Sequence, residues 1–313
     1  MAGLGRLRNR FPAAACAVSA VLLALVLSAA ARADEAWRKD WRVFRVGLLP
    51  SGDAEAFAAR IEPFRKAMET ALRIPVRIVP MATFDELIRA QARLRVHYAI
   101  YSTSAYATAS VGCRCVRALA APITPDGVVG FHALILAGAK SRMKGIGDLK
   151  ELRLALGRRG SLAGDLAPLT ALRGAGLNPG SDVELVYSGS PLKAVAALKA
   201  GKADAAVAWS SLFGSKERGY SRGTLRALVG SGGKVDDYTI VWKSPTIPHG
   251  PHAVQTVVPP ELRELLTNFL TGLRTTSPVA YEAVDPVHGG GFARIGHAAY
   301  QPVIDMLTRK AGR

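Results

Sequence analysis

The chain has 313 residues, of which 49% are hydrophobic and 21% charged, and a formal charge of +17. That composition excludes a disordered chain and gives enough length for one large domain or two lobes. The basic residues are scattered (Arg60, Lys66, Arg73, Arg89, Lys199) and form no stripe interleaved with aromatics, which excludes a nucleic-acid surface and leaves small anions as the natural partners.

The first predicted element precedes the fold. Arg6, Arg8 and Arg10 stand before the apolar run Phe11 to Ala30, and Ala31-Arg32-Ala33 is an A-x-A cleavage site. Residues 1–33 therefore read as a secretory signal peptide, with cleavage after Ala33 and a periplasmic mature chain. An uncleaved anchor is the alternative, because the run is long for the apolar part of a signal. Cys16 lies inside the run rather than behind it, which argues against a lipid anchor. Losing Arg6, Arg8, Arg10 and Arg32 lowers the formal charge from +17 to +13. No later stretch is apolar enough to span a bilayer.

From Trp41 the pattern alternates. Val43 to Leu49 is a predicted strand ended by the breakers Pro50-Ser51-Gly52-Asp53, and Ala54 to Leu72 repeats its apolar residues at helical spacing. Val76 to Pro80 is a second strand; Thr83 and Glu86 form a capping box for a helix whose apolar face is Phe84, Leu87 and Ile88. Val96 to Tyr101 is a third strand. Ser102-Thr103-Ser104 follows, and Ala105 opens a helix whose free N–H groups and positive dipole end suit a small anion walled by Tyr101 and Tyr106. After β-rich runs at Val116 to Pro122 and Val128 to Ala137, the alternation begins again. Leu152 to Leu156, Val183 to Tyr187 and Ala203 to Trp209 are strands; Ala163 to Gly176 and Ser190 to Ala200 are helices, and Ser210-Ser211 is expected to start a short one. The turn Gly157 to Ser161 resembles the one at Ser102. Thr239 to Trp242 and Ala253 to Val258 are further strands, Pro260 to Leu273 a helix with proline in its first turn, and Tyr300 to Arg309 a closing helix.

Two β-α-β-α-β-α units imply two mostly parallel sheets covered by helices, with ligands beyond the C-terminal strand ends and a cleft between the lobes.

Few residues offer other chemistry. Cys113 and Cys115 are one residue apart; the expectation is buried thiols, and an exported compartment also allows a local disulfide. His97 and His132 supply no metal-ligand spacing, so neither a metal nor a cofactor is expected. Ser141 to Lys144 and Ser190 to Lys193 match Ser-x-x-Lys but lack the companion motifs of a serine acyl-enzyme. His249 and His252 are expected at the rim or surface of a proline-rich segment, and no carboxylate partner is evident for His288 or His297. Nothing forms a catalytic set, so the chain reads as a binding protein rather than an enzyme, with a secreted hydrolase as the distant alternative.

Five stretches in order resemble a known family: Val46 to Pro50 with Pro63-Phe64, Phe84 to Ala90, Ala99 to Tyr106, Gly145 to Leu149 with Gly157 to Gly164, and Ile247 to Leu262. The chain, from about Arg42 to Leu307, is similar to the periplasmic solute-binding proteins of ABC importers that take phosphate, phosphite or phosphonate. The resemblance implies a type II periplasmic-binding-protein fold of two α/β lobes, each a mixed, mostly parallel sheet flanked by helices, joined by two crossing strands. Residues 42–136 with 247–313 would make lobe I and residues 137–246 lobe II. It implies a monomer that carries a small anionic solute to an inner-membrane ABC permease; a sensor signalling to a membrane kinase would need the same cleft.

It also implies a ligand site at Pro50, Ser51, Gly52, Phe84, Tyr101, Ser102, Thr103, Ser104, Ser161, Leu162, Ala163, Gly164, Trp209 and Ser210. Phe84 and Tyr101 would be its walls, and Ser102, Thr103 and Ser161 its hydrogen-bond donors. The chain departs from the family pattern where it matters for an anion. Leu162 and Ala163 replace two hydroxyl residues of the second-lobe turn, Asp165 brings a negative charge beside it, and no acid stands near Ala208-Trp209.

Overall fold

The structure is a computed structural model that describes residues 37–50 and 52–311. The expected signal peptide at residues 1–33 and Ser51 lie outside the described residues.

The chain begins with β1 (Phe44–Leu48), α1 (Ala54–Leu72), β2 (Val76–Pro80), α2 (Phe84–Ala92), β3 (Tyr98–Ile100), α3 (Thr103–Cys113) and β4 (Val116–Pro122). It then crosses into β5 (Gly130–Gly138), followed by β6 (Arg153–Leu156), α4 (Ala167–Gly174), β7 (Glu184–Tyr187), α5 (Pro191–Lys199), β8 (Ala205–Ser210), α6 (Thr224–Gly230), β9 (Tyr238–Lys243) and β10 (Ile247–Pro248). It returns through β11 (His252–Gln255) to α7 (Pro260–Thr276), α8 (Pro278–Val284), β12 (Phe292–Arg294) and α9 (Gln301–Ala311).

Each lobe is built by the same rule. In the first sheet, β2, β1 and β3 are parallel neighbours in that order, and antiparallel β11 joins β3 to β4. In the second, β7, β6 and β8 are parallel neighbours, and antiparallel β5 joins β8 to β9 and β10. The second sheet is built from the contiguous stretch β5 to β10, whereas the first takes back β11 and β12 after it, so the chain crosses between the lobes twice, before β5 and after β10. All of β5 and β10 belongs to the second sheet, so the division expected between residues 136 and 137 falls inside β5. The reason is length: β5 is nine residues long and pairs with β10 at its start and with β9 further on.

Local chemistry accounts for the elements. Asp53 caps α1 by accepting the Ala56 N–H at 2.8 Å, and the stripe Phe57, Ile61, Phe64, Met68, Leu72 is buried at helical spacing. Thr83 accepts from the Glu86 N–H at 3.1 Å, while the Glu86 carboxylate reaches back to the Ala82 N–H at 3.0 Å. Ser102 caps α3 through the Ala105 N–H. Two glycines sit where backbones meet. A Cβ on Gly130 would lie 2.3 Å from the Ile247 carbonyl oxygen, and one on Gly250 would lie 2.0 Å from that of Tyr101.

Three expectations are corrected. No helix starts at Ser210-Ser211: residues 211–223 form a loop and α6 begins at Thr224, because the Ser210 hydroxyl bonds the Leu212 N–H and the Arg222 carbonyl instead of capping a helix. Cys113 and Cys115 are disulfide-bonded rather than free, since Arg114 between them takes the left-handed conformation (φ 51°) and turns their Cα atoms to 5.0 Å, within bridging range. His252, expected at a surface, is 1% exposed in the first core between Phe64 and Phe292, because β11 is an interior strand of its sheet. Among the described residues no helix is long and apolar enough to cross a membrane.

Candidate functional site

The two turns expected to hold the ligand meet, but as packing. Tyr101 is 3% exposed and its hydroxyl donates to Gln91 Oε1 at 2.7 Å; Phe84 leans on its ring with centroids 6.5 Å apart. Burial pushes the Tyr101 phenol well above its ordinary range. The Thr103 hydroxyl donates to the Pro248 carbonyl at 2.7 Å. Leu162 and Ala163 of the second lobe pack on one apolar cluster with Tyr101, Ala105 and Tyr106 of the first and Ala133, Ala167 and Ile247 of the second. Helix α9 seals this seam, touching α3 on one side and α4 on the other.

The second-lobe turn is saturated by its own residues. Leu162–Leu166 form a π-helical turn leading into α4, in which the Asp165 and Leu166 N–H groups both donate to the Ser161 carbonyl at 3.0 Å. The Ser161 hydroxyl donates to the Arg158 carbonyl at 2.6 Å. Asp165, 6% exposed, accepts from the Gly160 N–H at 2.6 Å and the Tyr187 hydroxyl at 3.0 Å, and the Arg159 guanidinium lies 3.6 Å above the Tyr187 ring. A carboxylate of the chain thus already sits where an external anion would find donors. Gly164 is buried against Gly157, whose N–H bonds its carbonyl at 2.8 Å. Pro50 and Gly52 are elsewhere, on a groove between α1 and β2. Ser102 and Ser104 share a weak contact at 3.4 Å beside the seam.

Between the lobes, beside the crossing strands, lies a cavity of about 270 Å³. Its walls are Phe131, Trp209, His249 and His288, with Ser211 and Arg222 as further polar groups and Val128 and Val287 at its ends. Of the expected site residues only Trp209 lines it; neighbouring Ser210 is fully buried behind it. Sheet register brings the rings together: Ala133 on β5 faces Trp209 on β8, so Phe131, two residues back on the same face, is the diagonal neighbour of Trp209. Their rings meet edge to face at 5.4 Å. β10 pairs Ile247 with Phe131 and Pro248 with Gly130, which delivers His249 onto the Phe131 ring at 6.1 Å. His249 is fixed at its backbone, its N–H donating to the Val129 carbonyl and its carbonyl accepting from Tyr300 at 2.7 Å.

The first lobe supplies His288. Its ring lies 4.3 Å from that of His249, and its Nδ1 donates to Asp285 Oδ1 at 2.7 Å. Asp285 is 4% exposed and also accepts from the Tyr281 hydroxyl at 2.6 Å and the His288 N–H at 3.2 Å. Burial alone would push its carboxyl up, but the bonds from His288 and Tyr281 outweigh this and hold it below its ordinary value. A carboxylate fixed on Nδ1 leaves His288 Nε2 to serve the cavity. Arg222, from the loop after β8, crosses between lobes to donate to the Val287 carbonyl at 2.8 Å. His249 Nε2 is buried without a partner. Burial, then the neighbouring His288 and Arg222, push its pKa down to about 4 against the pull of Asp285.

The site therefore offers one permanent cation, two imidazoles and a hydroxyl among aromatic walls. Among the described residues two carboxylates stand near these groups: Asp285 is committed to His288 and Tyr281, and Asp126 lies near Arg222 and Ser221. Phe131, Ser211, Arg222, His249 and His288 line this cavity but were not among the expected site residues. The one signal available was Asp285 three residues before His288, outside any helical frame.

No curated protein matches the sequence. Solved structures do match in fold. A Xanthomonas citri protein bound to ATP superposes with a TM-score of 0.59 at 18% identity, over 86% of this chain and 98% of its own. Prochlorococcus marinus PhnD1 in complex with methylphosphonate gives 0.53 at 16% identity, over 87% and 99%. The binding-protein component of an ABC phosphonate transporter from Pseudomonas aeruginosa gives 0.51 at 17% identity, over 86% of each chain. These likenesses agree with the two mixed, helix-flanked sheets of a type II periplasmic binding protein. The model of the family described as "ABC transporter, phosphonate, periplasmic substrate-binding protein" matches residues 46–303, and the chain belongs to that family of solute-binding components of ABC importers.

Proposed function

We propose that the protein captures a small organic oxyanion in the cavity between its lobes and presents it, as a monomer, to a membrane permease. The observation that carries this reading is the position of Arg222, a second-lobe cation that reaches a first-lobe carbonyl across the mouth of an otherwise apolar, imidazole-lined space. A solute held by Arg222 and Ser211 on one side and His288 on the other contacts both lobes, and so favours the closed arrangement over the open one. Export follows on the same reading from cleavage after Ala33.

The test is a thermal-shift titration of the mature chain, residues 34–313, with phosphate, phosphite, sulfate, methylphosphonate and small sulfonates and carboxylates. A ligand at 100 times its Kd stabilises by about 2.7 kcal/mol, which raises the melting temperature by several degrees. Arg222→Ala should abolish that shift and leave the unliganded melting temperature nearly unchanged. A variant that binds as tightly as the wild type would remove the cavity from consideration.

A further inference from the structure

The walls of the cavity say more about the solute than its single cation does. Phe131, Trp209, His249 and His288 form an unbroken chain of rings, with successive centroids 5.4, 6.1 and 4.3 Å apart along Trp209–Phe131–His249–His288. Their planes are tilted to one another by 68°, 35° and 53°, so the chain curves around the space instead of stacking flat. Aromatic rings prefer such offset and edge-on partners, and a further ring placed among them gains contacts that an aliphatic or inorganic group does not.

Size agrees with this chemistry. An apolar cavity of about 150 Å³ is enough to hold benzene, and the space here is about 270 Å³. It admits one six-membered ring with an oxyanion attached. Inorganic phosphate or methylphosphonate could reach Arg222 but would leave the ring-lined end to water, with Trp209 and Phe131 untouched.

The cation of the cavity stands on the second-lobe side, with the Asp126 carboxylate near it. Arg222 and Ser211 both come from the loop after β8, where the Ser211 hydroxyl is already oriented by Ser221 at 2.9 Å. The guanidinium uses one N–H on the Val287 carbonyl and carries five in all, enough for a bidentate hold on a planar or tetrahedral oxyanion.

Resting on the cavity reading above, we propose that the solute is an aromatic oxyanion, a single-ring phosphonate, sulfonate or carboxylate, with its acid on Arg222 and its ring among Phe131, Trp209 and His249. The acid group supplies the attraction common to the family, and the ring supplies the selectivity of this chain.

Isothermal titration of the mature chain with phenylphosphonate, benzenesulfonate and benzoate, against methylphosphonate, methanesulfonate and acetate, tests this. The aryl member of each pair should bind at least tenfold more tightly, since even one methylene in an apolar pocket is worth that much. Trp209→Leu and Phe131→Leu, each checked for a native circular dichroism spectrum, should erase most of the aryl preference while changing the methyl compounds little. Arg222→Ala should weaken both members of each pair. Equal affinity for aryl and methyl acids, both lost in Arg222→Ala, would overturn the aromatic assignment and leave the cavity as the site. An aryl preference that survives Trp209→Leu, Phe131→Leu and Arg222→Ala would place the ligand elsewhere and overturn both, as would no binding by any of the six acids.

Discussion

Lowering the pH should destabilise this protein well above the carboxylate range, because two buried histidines and a half-buried one are held neutral by the fold. Burial, helped by Arg45, pushes His97 down to about 4; burial, helped by His288 and Arg222, does the same to His249; burial takes His252 to about 3. In the unfolded chain each would titrate near 6.5. Between roughly pH 4 and 6.5 the unfolded state therefore binds protons that the folded state refuses, and stability falls as pH falls. The contribution is complete above pH 6.5 and is lost through that window. At pH 5 the unfolded ring sits about 1.5 pH units below its pKa, which costs about 2 kcal/mol for each fully buried ring at 1.36 kcal/mol per unit. His97 and His252 meet that condition; half-buried His249 contributes less. A total loss near 5 kcal/mol is large beside the 5–15 kcal/mol stability of an ordinary domain. Urea unfolding followed by tryptophan fluorescence at pH 8, 7, 6 and 5 measures it. The group can be isolated: Tyr98 donates to His252 Nδ1, so Tyr98→Phe with His252→Phe removes both partners and leaves no buried polar atom stranded. The double variant should lose about 2 kcal/mol less than the wild type between pH 8 and 5. An unfolding free energy that stays within 1 kcal/mol across the range would refute the burial argument.

Three further outcomes follow from the geometry. An anion about 4 Å from His249 is worth about 4 kcal/mol at an effective dielectric of 20, enough to draw a proton onto the ring below neutrality. Affinity for a sulfonate, itself ionised throughout, should then rise by up to tenfold per pH unit from pH 7 to 5.5, and a pH-independent Kd would exclude His249 from the site. Gly250→Ala places a Cβ 2.0 Å from the Tyr101 carbonyl oxygen and should cost about 1–3 kcal/mol or more by urea unfolding, whereas Gly138→Ala, with open space around it, should be close to neutral. Replacing Cys113 and Cys115 by serine removes a bridge that closes a very short loop, so it should cost only on the order of 1–2 kcal/mol and lower the melting temperature by a few degrees.

Much of the scaffold was legible because it is written in local periodicity. β2 and β4 fall on their expected residues to the last position, and Thr83 caps its helix as read. The two α/β units declare themselves through alternating strand and helix patterns, most plainly in the buried, Val-, Leu- and Ala-rich strands β1, β6 and β8. What escaped is short or weakly patterned: α6 and α8, of seven residues each, and β12, of three. The cavity escaped for another reason. Phe131, Arg222, His249 and His288 come from four separate parts of the chain: β5–β8 register and the β10 pairing bring Phe131 and His249 to Trp209, while Arg222 and His288 arrive on segments of opposite lobes. A proline-rich context left His249 at a rim or surface position, and a two-residue strand is enough to carry it to the cavity wall.

The departures from the family pattern and the location of the cavity belong to one physical argument. A turn that binds an oxyanion needs free donors, and each hydrogen bond to a charged partner contributes about 1.5–3 kcal/mol. In this chain Asp165 takes the Gly160 N–H, the Ser161 hydroxyl turns to Arg158, and Leu162 and Ala163 present methyl groups where hydroxyls would stand. An anion entering that turn would meet a buried carboxylate and few donors. The same substitutions gain something in exchange, for Leu162 and Ala163 bury apolar surface against the Tyr101–Tyr106 cluster and hold the lobes in register. The flank where Arg222 meets Val287 is an interlobe position that does combine a cation with space. Restoring the donors tests the linkage: Leu162→Ser with Ala163→Thr should weaken the seam, lowering the melting temperature by several degrees, without creating a phosphate site while Asp165 remains. Tight phosphate binding by that double variant would show that the turn had kept its anion site, and would return the search for the ligand to Ser161 and Gly164.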